Sequence, residues 1–388
     1  MMQIMEGSHA VAEAAKLCRP EVVSAYPITP QTHIVERLAE MVADGELDAE
    51  YLCVESELSA LSVCLGSSAA GSRVYSATSS QGGLMLMAEV VFNVAGMRQP
   101  IVMSIANRAL GAPLSIWNDQ QDSISLRDAG WFHLYGEDVQ EMTDQHFIAY
   151  KAAEQHDVLL PGFVCFDGFI LSHTYEPVDI PTQEEIDAFL PPYVPYNKLD
   201  AKAPISMGMY APPPDYYMEF RHETDQALQR AGAAISAAGK EFGEMFGRDY
   251  SGHTESYRMD DADVAFVALG SLCGTVKDAI DEMRADGIKA GLVKIRTFRP
   301  FPATEIARAL AGVPKVAVLE KNISLGSAMK GAVGPEVKDA VTGTGIDVYS
   351  YVLGLGGRDI RKKDIRAIAA LAEKGVGNTF YGLRTEVL

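Results

Sequence analysis

Short β-branched and apolar runs alternate with helical patterns between Glu21 and His173, and this alternation constrains the fold more than any other feature. It predicts buried strands at VVSAYPIT, AEYLCVES, RVYSATSS, PIVMSIANR and VLLPGFVCFDGF. It predicts helices at SHAVAEAAKLC, THIVERLAEMVADG, ELSALSVCLGSSAAG and GGLMLMAEVVFNVAG. Such alternation is typical of a mainly parallel sheet covered by helices. We therefore expect an α/β domain over residues 1–178, with ligands beyond the carboxyl ends of its strands.

Two further regions follow this domain. Residues 179–260 begin with proline-rich stretches such as LPPYVPY and APPPDYY and continue into one long helical pattern ending at GKEFGEMFG. Aromatic residues and methionines persist there, so we expect an ordered connector. A second α/β alternation then runs through DVAFVALGS, AGLVKIRTFRP, KVAVLEKN and VYSYVLGLGGRD. It predicts a small doubly wound domain over residues 261–388.

Length and composition exclude several classes of protein. The 388 residues, 48% of them hydrophobic, can bury the cores of two domains. Apolar runs such as Val264–Leu272 are shorter than the roughly 20 residues of a membrane span, and MMQIMEGSHAVAEA lacks the basic start of a signal peptide. We therefore expect a cytoplasmic protein with no membrane association. A formal net charge of −19 argues against binding to nucleic acid.

The cysteines are scattered, with no CxxC pair and no Cys/His cluster at the spacing of metal ligands. They are Cys18, Cys53, Cys64, Cys165 and Cys273. We therefore expect neither an iron–sulfur cluster nor a structural zinc, and we assign no metal ligand in this chain. Their apolar neighbours predict reduced, mostly buried thiols, with a catalytic cysteine as the alternative.

Polar residues follow the first two predicted strands. Thr29 stands between two prolines in YPITP, where its hydroxyl either caps the local backbone or binds a substrate carboxylate. Glu57 opens a largely apolar helix. It either complements the helix dipole or, if desolvated at a subunit interface, shares a proton with a heterocyclic nitrogen.

The next two strands also end in polar loops. TSSQGG, which spans Thr78–Gly83, is a strand-to-helix turn whose amides could hold an anion, although it matches no established phosphate-binding motif. Arg108 ends PIVMSIANR. It either forms a salt bridge with Asp119 or Asp122, or captures a carboxylate with both prongs of its guanidinium.

Glycine turns follow two strands of the second region, LGS at Leu269–Ser271 and GLGGRD at Gly354–Asp359. Such turns usually serve the backbone geometry, and an isolated one is weak evidence for a dinucleotide. We predict no NAD site.

Taken together, these stretches resemble the 2-oxoacid:ferredoxin oxidoreductase family, specifically the separate α subunit of its pyruvate-type, multi-subunit members. The resemblance runs in the family's order from EGSHAVAEAAKLCRPEVVSAYPITPQT through VESELSAL, SATSSQGGLMLMAEV and ANRALGAPLSIWNDQQDSISLRDAGW to TFRPFP, VLEKN and GLGGRD. It implies a pyrimidine-type thiamine-diphosphate domain followed by a transketolase C-terminal-like domain.

The resemblance also implies roles for individual residues. Glu57 matches the acid that hydrogen-bonds the aminopyrimidine ring of thiamine diphosphate, and Thr29 and Arg108 match the pair that binds the substrate carboxylate. Further cofactor contacts are implied for Pro27, Ile28, Ser80 and Gln81. In IWNDQQDS, Gln120 or Gln121 stands where some relatives have His. The resemblance therefore favours pyruvate but leaves aryl, branched and dicarboxylic 2-oxoacids open.

Partners follow from the same resemblance. It implies that a β subunit holds the diphosphate, its Mg²⁺ and a [4Fe-4S] cluster, that γ- and δ-type subunits complete the complex, and that ferredoxin or another acceptor takes the electrons. Coenzyme A is the implied co-substrate. The alternatives are a subunit of a non-redox thiamine-diphosphate enzyme and an inactive scaffold. The chain contains no GDG motif, which disfavours a self-sufficient enzyme.

Overall fold

The computed structural model describes residues 2–213 and 215–388 and contains two large sheets and one small one. Pro214, which belongs to the APPPDYY stretch, and Met1 lie outside the described residues. The described strands are β1 (Met2–Glu6), β2 (Val22–Ser24), β3 (Glu50–Leu52), β4 (Val74–Thr78), β5 (Val102–Asn107), β6 (Phe132–Tyr135), β7 (Gly162–Asp167), β8 (Tyr175–Asp179), β9 (Thr254–Tyr257), β10 (Val264–Ala268), β11 (Ala290–Ile295), β12 (Thr297–Arg299), β13 (Lys315–Glu320), β14 (Asp347–Val352) and β15 (Thr379–Phe380).

The described helices lie mainly between these strands. They are α1 (Gly7–Leu17), α2 (Thr32–Ala43), α3 (Glu57–Ala70), α4 (Ala88–Gly96), α5 (Gln121–Ser125), α6 (Val139–Ala153), α7 (Gln183–Phe189), α8 (Tyr217–Phe246), α9 (Leu272–Ala285), α10 (Ala303–Ala309), α11 (Val333–Ala340) and α12 (Lys362–Glu373). No helix in the described residues is long and apolar enough to cross a membrane.

The first large sheet has the strand order β12-β6-β7-β5-β4-β2-β3, and its pairs are parallel except for β12 with β6. The direction of winding reverses at β2, which lies between β3 and β4. Helix α2 packs with α1, α6 and α8 in one core, whereas α3 packs with α4 in another. The α/β prediction is confirmed, and the reversal places the loops after β2 and β4 side by side at a switch point, where such sheets bind ligands.

The second sheet has the order β15-β14-β13-β10-β11-β9, with β9 antiparallel at one edge. Helices α9 and α12 cover one face. The other face, covered by α10 and α11, shares a continuous apolar core with α3 and α4 of the first sheet. The two sheets therefore meet through buried apolar side chains.

Two predicted elements are divided in the structure. AGLVKIRTFRP forms two strands in different sheets, because β11 joins β10 whereas β12 crosses to β6. GGLMLMAEVVFNVAG does not form a single helix: Ser80–Met85 is a π-helical turn and α4 begins only at Ala88. A side chain at Gly83 would overlap the Thr78 hydroxyl, so the close approach at this turn requires glycine.

Buried ion pairs also link the two sheets. Lys294 on β11 lies 2.7 Å from Glu137, 2.9 Å from Glu141 and 3.1 Å from Glu255. Arg296 contacts Glu141 at 2.6 Å. Burial opposes ionisation of Glu141, but Lys294 and Arg296 outweigh it and hold the pKa of that carboxyl below its usual value. Glu141 is therefore an ionised buried group that depends on its cations.

We expect Lys294→Met to lower the free energy of unfolding by about 3 kcal/mol, the low end of the range for breaking a buried pair, because Arg296 still faces Glu141. Denaturant titration followed by fluorescence measures this change. Lys240→Met is the matched control, since its side chain is 70% exposed and lies 3.9 Å from Glu244. Equal unfolding midpoints for the two variants would contradict a stabilising role of Lys294.

Candidate active site at the carboxyl edge of the first sheet

Four loops meet along one edge of the first sheet, since the parallel strands β3, β2, β4 and β5 all end there. In this spatial order the loops contain Glu57, Thr29, the Ser80–Gln81 pair and Arg108. Neighbouring strands are about 4.8 Å apart, so the outer two loops, after β3 and β5, are separated by roughly 14 Å, and an extended ligand is needed to contact all four loops.

Arg108 and Thr29 are in direct contact. The Arg108 Nη1 donates to the Thr29 carbonyl at 2.9 Å, and its Nε donates to the Ser115 carbonyl at 3.1 Å. Burial lowers the pKa of Arg108, although Asp122 opposes this shift. Within the described residues the guanidinium forms no salt bridge, and only the Arg108 backbone N–H reaches Asp122, at 3.0 Å. Its charge is thus buried without a carboxylate partner, and a bound carboxylate would supply one.

The Thr29 hydroxyl has no hydrogen bond to any described residue, and Thr29 is exposed. The local turn is closed instead by Gln31, whose Nε2 donates to the Tyr26 carbonyl at 2.7 Å. Backbone capping by Thr29 is therefore not observed, and its hydroxyl is available to a ligand.

Glu57 is the first residue of α3, but Ser56 caps the helix by accepting from the Ser59 N–H at 3.2 Å. Glu57 is only 5% exposed, and its carboxyl has no side-chain hydrogen bond within the described residues. Burial raises its pKa and outweighs the hydrogen bond from the Glu57 backbone N–H, which favours the ionised form. A buried carboxyl that retains its proton more readily can share it with a ring nitrogen.

Asp122 holds two of the loops in register. Its carboxylate accepts from the backbone N–H of Ser80 at 2.8 Å and from that of Arg108 at 3.0 Å. It also accepts from the Asn107 side chain at 2.7 Å and from the Ser123 N–H at 2.9 Å. Burial raises its pKa to about 7. Sequence reasoning considered Asp122 only as an ion-pair partner of Arg108 and missed this role.

The predicted cofactor contacts lie around the same junction. Ser80 is buried with a positive φ of 61°, and its backbone N–H is held by Asp122. Gln81 is exposed and accepts from the Gly111 N–H. The Ile28 side chain approaches the Gly82–Gly83 pair, whereas Pro27 is exposed. The structure therefore brings the YPITP and TSSQGG loops into contact.

Buried polar atoms at this edge are consistent with a polar heterocycle. The Thr78 Oγ1 and the Asn107 Oδ1, at the ends of β4 and β5, are buried without a hydrogen-bond partner within the described residues. Unpaired buried polar groups are costly, so such atoms at a strand edge point to a ligand or water. Together with the Glu57 carboxyl, they fit the aminopyrimidine side of thiamine diphosphate.

Family models match both parts of the chain. The model described as pyruvate flavodoxin/ferredoxin oxidoreductase, thiamine diP-bdg, covers residues 13–240, and the model for the pyruvate:ferredoxin oxidoreductase core domain II covers residues 262–365. The chain belongs to the 2-oxoacid:ferredoxin oxidoreductase family. Its thiamine-diphosphate-binding domain thus contains every loop described above.

Curated oxidoreductase subunits resemble the chain over nearly its whole length. The pyruvate synthase subunit PorA of Methanothermobacter thermautotrophicus is 51% identical, covering 100% of this chain and 99% of the relative. The ketoisovalerate oxidoreductase subunit VorA of Pyrococcus horikoshii is 47% identical, covering 96% and 94%. Because the relatives are named as subunits, members like this chain work in multi-subunit complexes.

Solved structures show the same fold at low sequence identity. A 2-oxoglutarate:ferredoxin oxidoreductase from Magnetococcus marinus, with 2-oxoglutarate, coenzyme A and succinyl-CoA bound, superposes with a TM-score of 0.70 at 19% identity; the match covers 96% of this chain and 65% of that one. A split-gene transketolase, described as an inactive β4 tetramer, gives a TM-score of 0.57 at 12% identity, with 95% and 98% coverage.

A second network, of hydrogen bonds and one ion pair, joins the active-site edge of the first sheet to the second sheet. Asp167, at the end of β7, accepts from Lys321 Nζ at 3.0 Å, from Asn118 Nδ2 at 2.8 Å and from the Ser271 N–H at 3.1 Å. Burial would raise the pKa of Asp167, but Lys321 and these donors lower it. The LGS turn and the VLEKN strand end of the second domain therefore form an interdomain junction with the NDQQDS loop of the first domain.

Gln120 and Gln121 both point into that junction. The Gln120 Nε2 donates to the Leu269 carbonyl at 3.1 Å, and the Gln121 Oε1 accepts from the Ile323 N–H at 2.6 Å. The GLGGRD turn joins them, since the Gly356 N–H donates to Asp119 at 3.0 Å. These glutamines bind the second domain, so the structure gives them a bridging role at the position where some relatives have His.

Four of the cysteines are buried, as predicted, whereas Cys53 is exposed. Burial raises the pKa of Cys64 to about 12. A thiol with that pKa is almost wholly protonated near neutrality and is a poor nucleophile. The catalytic-cysteine alternative therefore gains no support from Cys64.

We expect Asp122→Asn in the assembled complex to lower kcat/KM for the 2-oxoacid at least about tenfold. The amide nitrogen of Asn must face backbone N–H donors, so contacts worth about 1.5–3 kcal/mol each are lost where two loops are held. Steady-state kinetics measure this effect. Asp119→Asn is the control, because Asp119 also accepts two backbone N–H groups but at the interdomain junction. If both variants were less stable but kept a normal kcat/KM, Asp122 would not position the active-site loops.

Proposed function

We propose that this chain is the α subunit of a thiamine-diphosphate-dependent 2-oxoacid:acceptor oxidoreductase. The complex oxidatively decarboxylates a 2-oxoacid, pyruvate by preference, to acyl-CoA and CO₂, and passes electrons to iron–sulfur clusters on partner subunits. One observation carries this proposal: the buried guanidinium of Arg108, which forms no salt bridge within the described residues, contacts Thr29 at the switch point of a chain 51% identical to a pyruvate synthase subunit. Residues 1–178 form the pyrimidine domain, 179–260 the connector and 261–388 the transketolase C-terminal-like domain.

Glu57 orients the cofactor and keeps the proton of its own carboxyl group. The carboxyl lies in a dry position at the start of α3, where burial favours the protonated form, so it can share that proton with a nitrogen of the aminopyrimidine ring. Thiamine diphosphate, when bound, supplies the acidic thiazolium carbon that adds to the keto group. Ile28, Ser80, Gln81 and Pro27 line the same edge and limit where the ring can lie.

Arg108 and Thr29 hold the substrate. The guanidinium supplies the charge and the Thr29 hydroxyl a single hydrogen bond, and together they fix the carboxylate so that the keto carbon faces the cofactor. Nothing in this pair selects the rest of the 2-oxoacid. The substrate preference therefore depends on the surrounding loops, and relatives of similar identity are named as subunits of both pyruvate synthase and ketoisovalerate oxidoreductase.

Partner subunits complete the enzyme. A β subunit supplies the diphosphate contacts, Mg²⁺ and a [4Fe-4S] cluster, γ- and δ-type subunits complete the complex, and ferredoxin or another acceptor removes the electrons. Coenzyme A takes the acyl group. This division is supported by the scattered cysteines of this chain and by the absence of a GDG motif.

The test is reconstitution of the complex with and without this chain, using pyruvate, 2-ketoisovalerate and 2-oxoglutarate as substrates. We expect acyl-CoA formation coupled to acceptor reduction only when the chain is present. We also expect the isolated chain to bind thiamine diphosphate at least about tenfold more weakly than the complex, since half of the contacts are missing. Calorimetry measures both affinities.

Each alternative has its own outcome. Undiminished activity without the chain would make it a scaffold. Continuous release of CO₂ from the 2-oxoacid over many turnovers, with no acceptor present, would indicate a non-redox enzyme. Tight, stoichiometric binding of thiamine diphosphate by the single chain would contradict the shared site.

A further inference from the structure

Three side chains capable of binding a metal converge away from the substrate loops. Glu6, His33 and His173 each offer a ligand atom, and these atoms all lie within 4.8 Å of one another. They come from three separate elements, the end of β1, the first turn of α2 and the loop between β7 and β8. Glu6 is buried, and both histidines are half-buried, so an ion can reach the cluster from solvent.

Neighbouring groups orient two of these ligands. The Ser172 Oγ accepts from the Phe169 N–H at 2.8 Å and lies 2.7 Å from the His173 Nδ1, which directs the Nε2 of that ring away from Ser172. The Tyr175 hydroxyl donates to the Glu6 Oε2 at 3.3 Å. Histidine and carboxylate ligands of metals are commonly held by such outer hydrogen bonds.

We propose that Glu6, His33 and His173 bind one divalent transition-metal ion of the zinc class. Two imidazoles and one carboxylate form a borderline donor set that favours Zn²⁺ or Co²⁺ over Mg²⁺, which prefers oxygen ligands. The fourth position faces solvent and takes water.

Binding requires only a small rearrangement. The His33 Nδ1 and the Glu6 Oε1 are now 2.5 Å apart, whereas two ligands of a tetrahedral ion with bonds of about 2.0 Å are separated by about 3.3 Å. Rotation of either side chain supplies this difference. The ion would tie the β1–β8 ribbon to α2, which directly follows the YPITP loop.

This proposal departs from the sequence expectation of no structural zinc. That expectation rested on ligand spacing along the chain, and the present ligands are 27 or more positions apart. The metal site rests on the geometry of the cluster alone. It is therefore independent of the proposed function, and either can fail without the other.

The experiment compares full-length wild-type chain, stripped with a chelator, with His33→Gln and His173→Gln variants. His222→Gln is the control, since His222 is an exposed histidine on α8. We expect calorimetry to show one equivalent of Zn²⁺ bound by wild type and by the control, with at least about tenfold weaker binding by each cluster variant. Added Co²⁺ should give visible d–d bands of a low-symmetry site, and Mg²⁺ should not compete.

Metal analysis of the assembled complex provides a second readout in case a variant chain folds poorly alone. A complex carrying both cluster substitutions should contain one Zn²⁺ fewer per α chain than the complex carrying His222→Gln. Equal zinc content, or equal Zn²⁺ affinity of wild type and cluster variants, would overturn the proposal and leave Glu6 and His33 as a hydrogen-bonded pair.

Discussion

Glu57→Gln should leave the complex assembled and lower its turnover about 10²–10⁴-fold, the usual range for a general acid–base group. The amide preserves the size of the buried side chain but cannot share a proton with the cofactor ring. Because Ser56 rather than Glu57 caps α3, little stability should be lost. Turnover at saturating 2-oxoacid and cofactor measures the effect, and gel filtration checks assembly.

Glu55→Gln provides the matched control. Glu55 stands two positions before Glu57 and is exposed, and it accepts from the Ser59 hydroxyl at 2.5 Å. The same substitution there should leave turnover nearly unchanged. If Glu57→Gln also kept near-normal turnover, Glu57 would serve only to complement the dipole of α3.

Arg108→Ala should lower kcat/KM for the 2-oxoacid about 10–100-fold, since a charge-assisted hydrogen bond contributes about 1.5–3 kcal/mol. The loss should appear first as a higher KM, because the guanidinium binds the part of the substrate that does not react. Steady-state kinetics over a range of 2-oxoacid concentrations separate KM from kcat.

Arg98→Ala separates substrate binding from structural support. Arg98 also donates to two backbone carbonyls, those of Val158 at 2.5 Å and Leu159 at 3.2 Å, but away from the active-site edge. The Arg98→Ala variant should therefore have a lower free energy of unfolding but an unchanged kcat/KM. If Arg108→Ala instead lowers kcat/KM less than about threefold and destabilises the protein as much as Arg98→Ala does, Arg108 only stabilises its loop, as Arg98 does.

Arg108→Lys tests the geometry of the contact. A lysine supplies one point charge and cannot reproduce a planar, two-pronged contact, so we expect little recovery of kcat/KM. Full recovery would show that charge alone suffices and would exclude bidentate binding of the carboxylate.

Much of the first domain could be predicted from periodicity. Five of its strands, β2, β3, β4, β5 and β7, follow recognisable runs, and the loops after four of them contain Glu57, Thr29, Ser80 and Arg108. The prediction that AEYLCVES is a buried strand was wrong, because β3 lies at the edge of the sheet and is largely exposed. Strands β1, β6 and β8 were not predicted. Strands β1 and β8 form a separate, largely exposed ribbon, so their apolar patterns are weak. The buried strand β6 has only four residues, and His133 interrupts its apolar run.

The sequence by itself determined the α/β class, the position of the polar loops at strand ends and the family, because these depend on local patterns and on their order along the chain. Only the tertiary structure decided which groups meet. Asp167 and Lys321 are 154 positions apart, and Asp122 joins two loops through backbone N–H groups that any residue would offer. Apolar periodicity reports which face of an element is buried, but it does not specify which strands become neighbours. The partners of a buried carboxylate are set by that packing, so they became visible only in the folded chain.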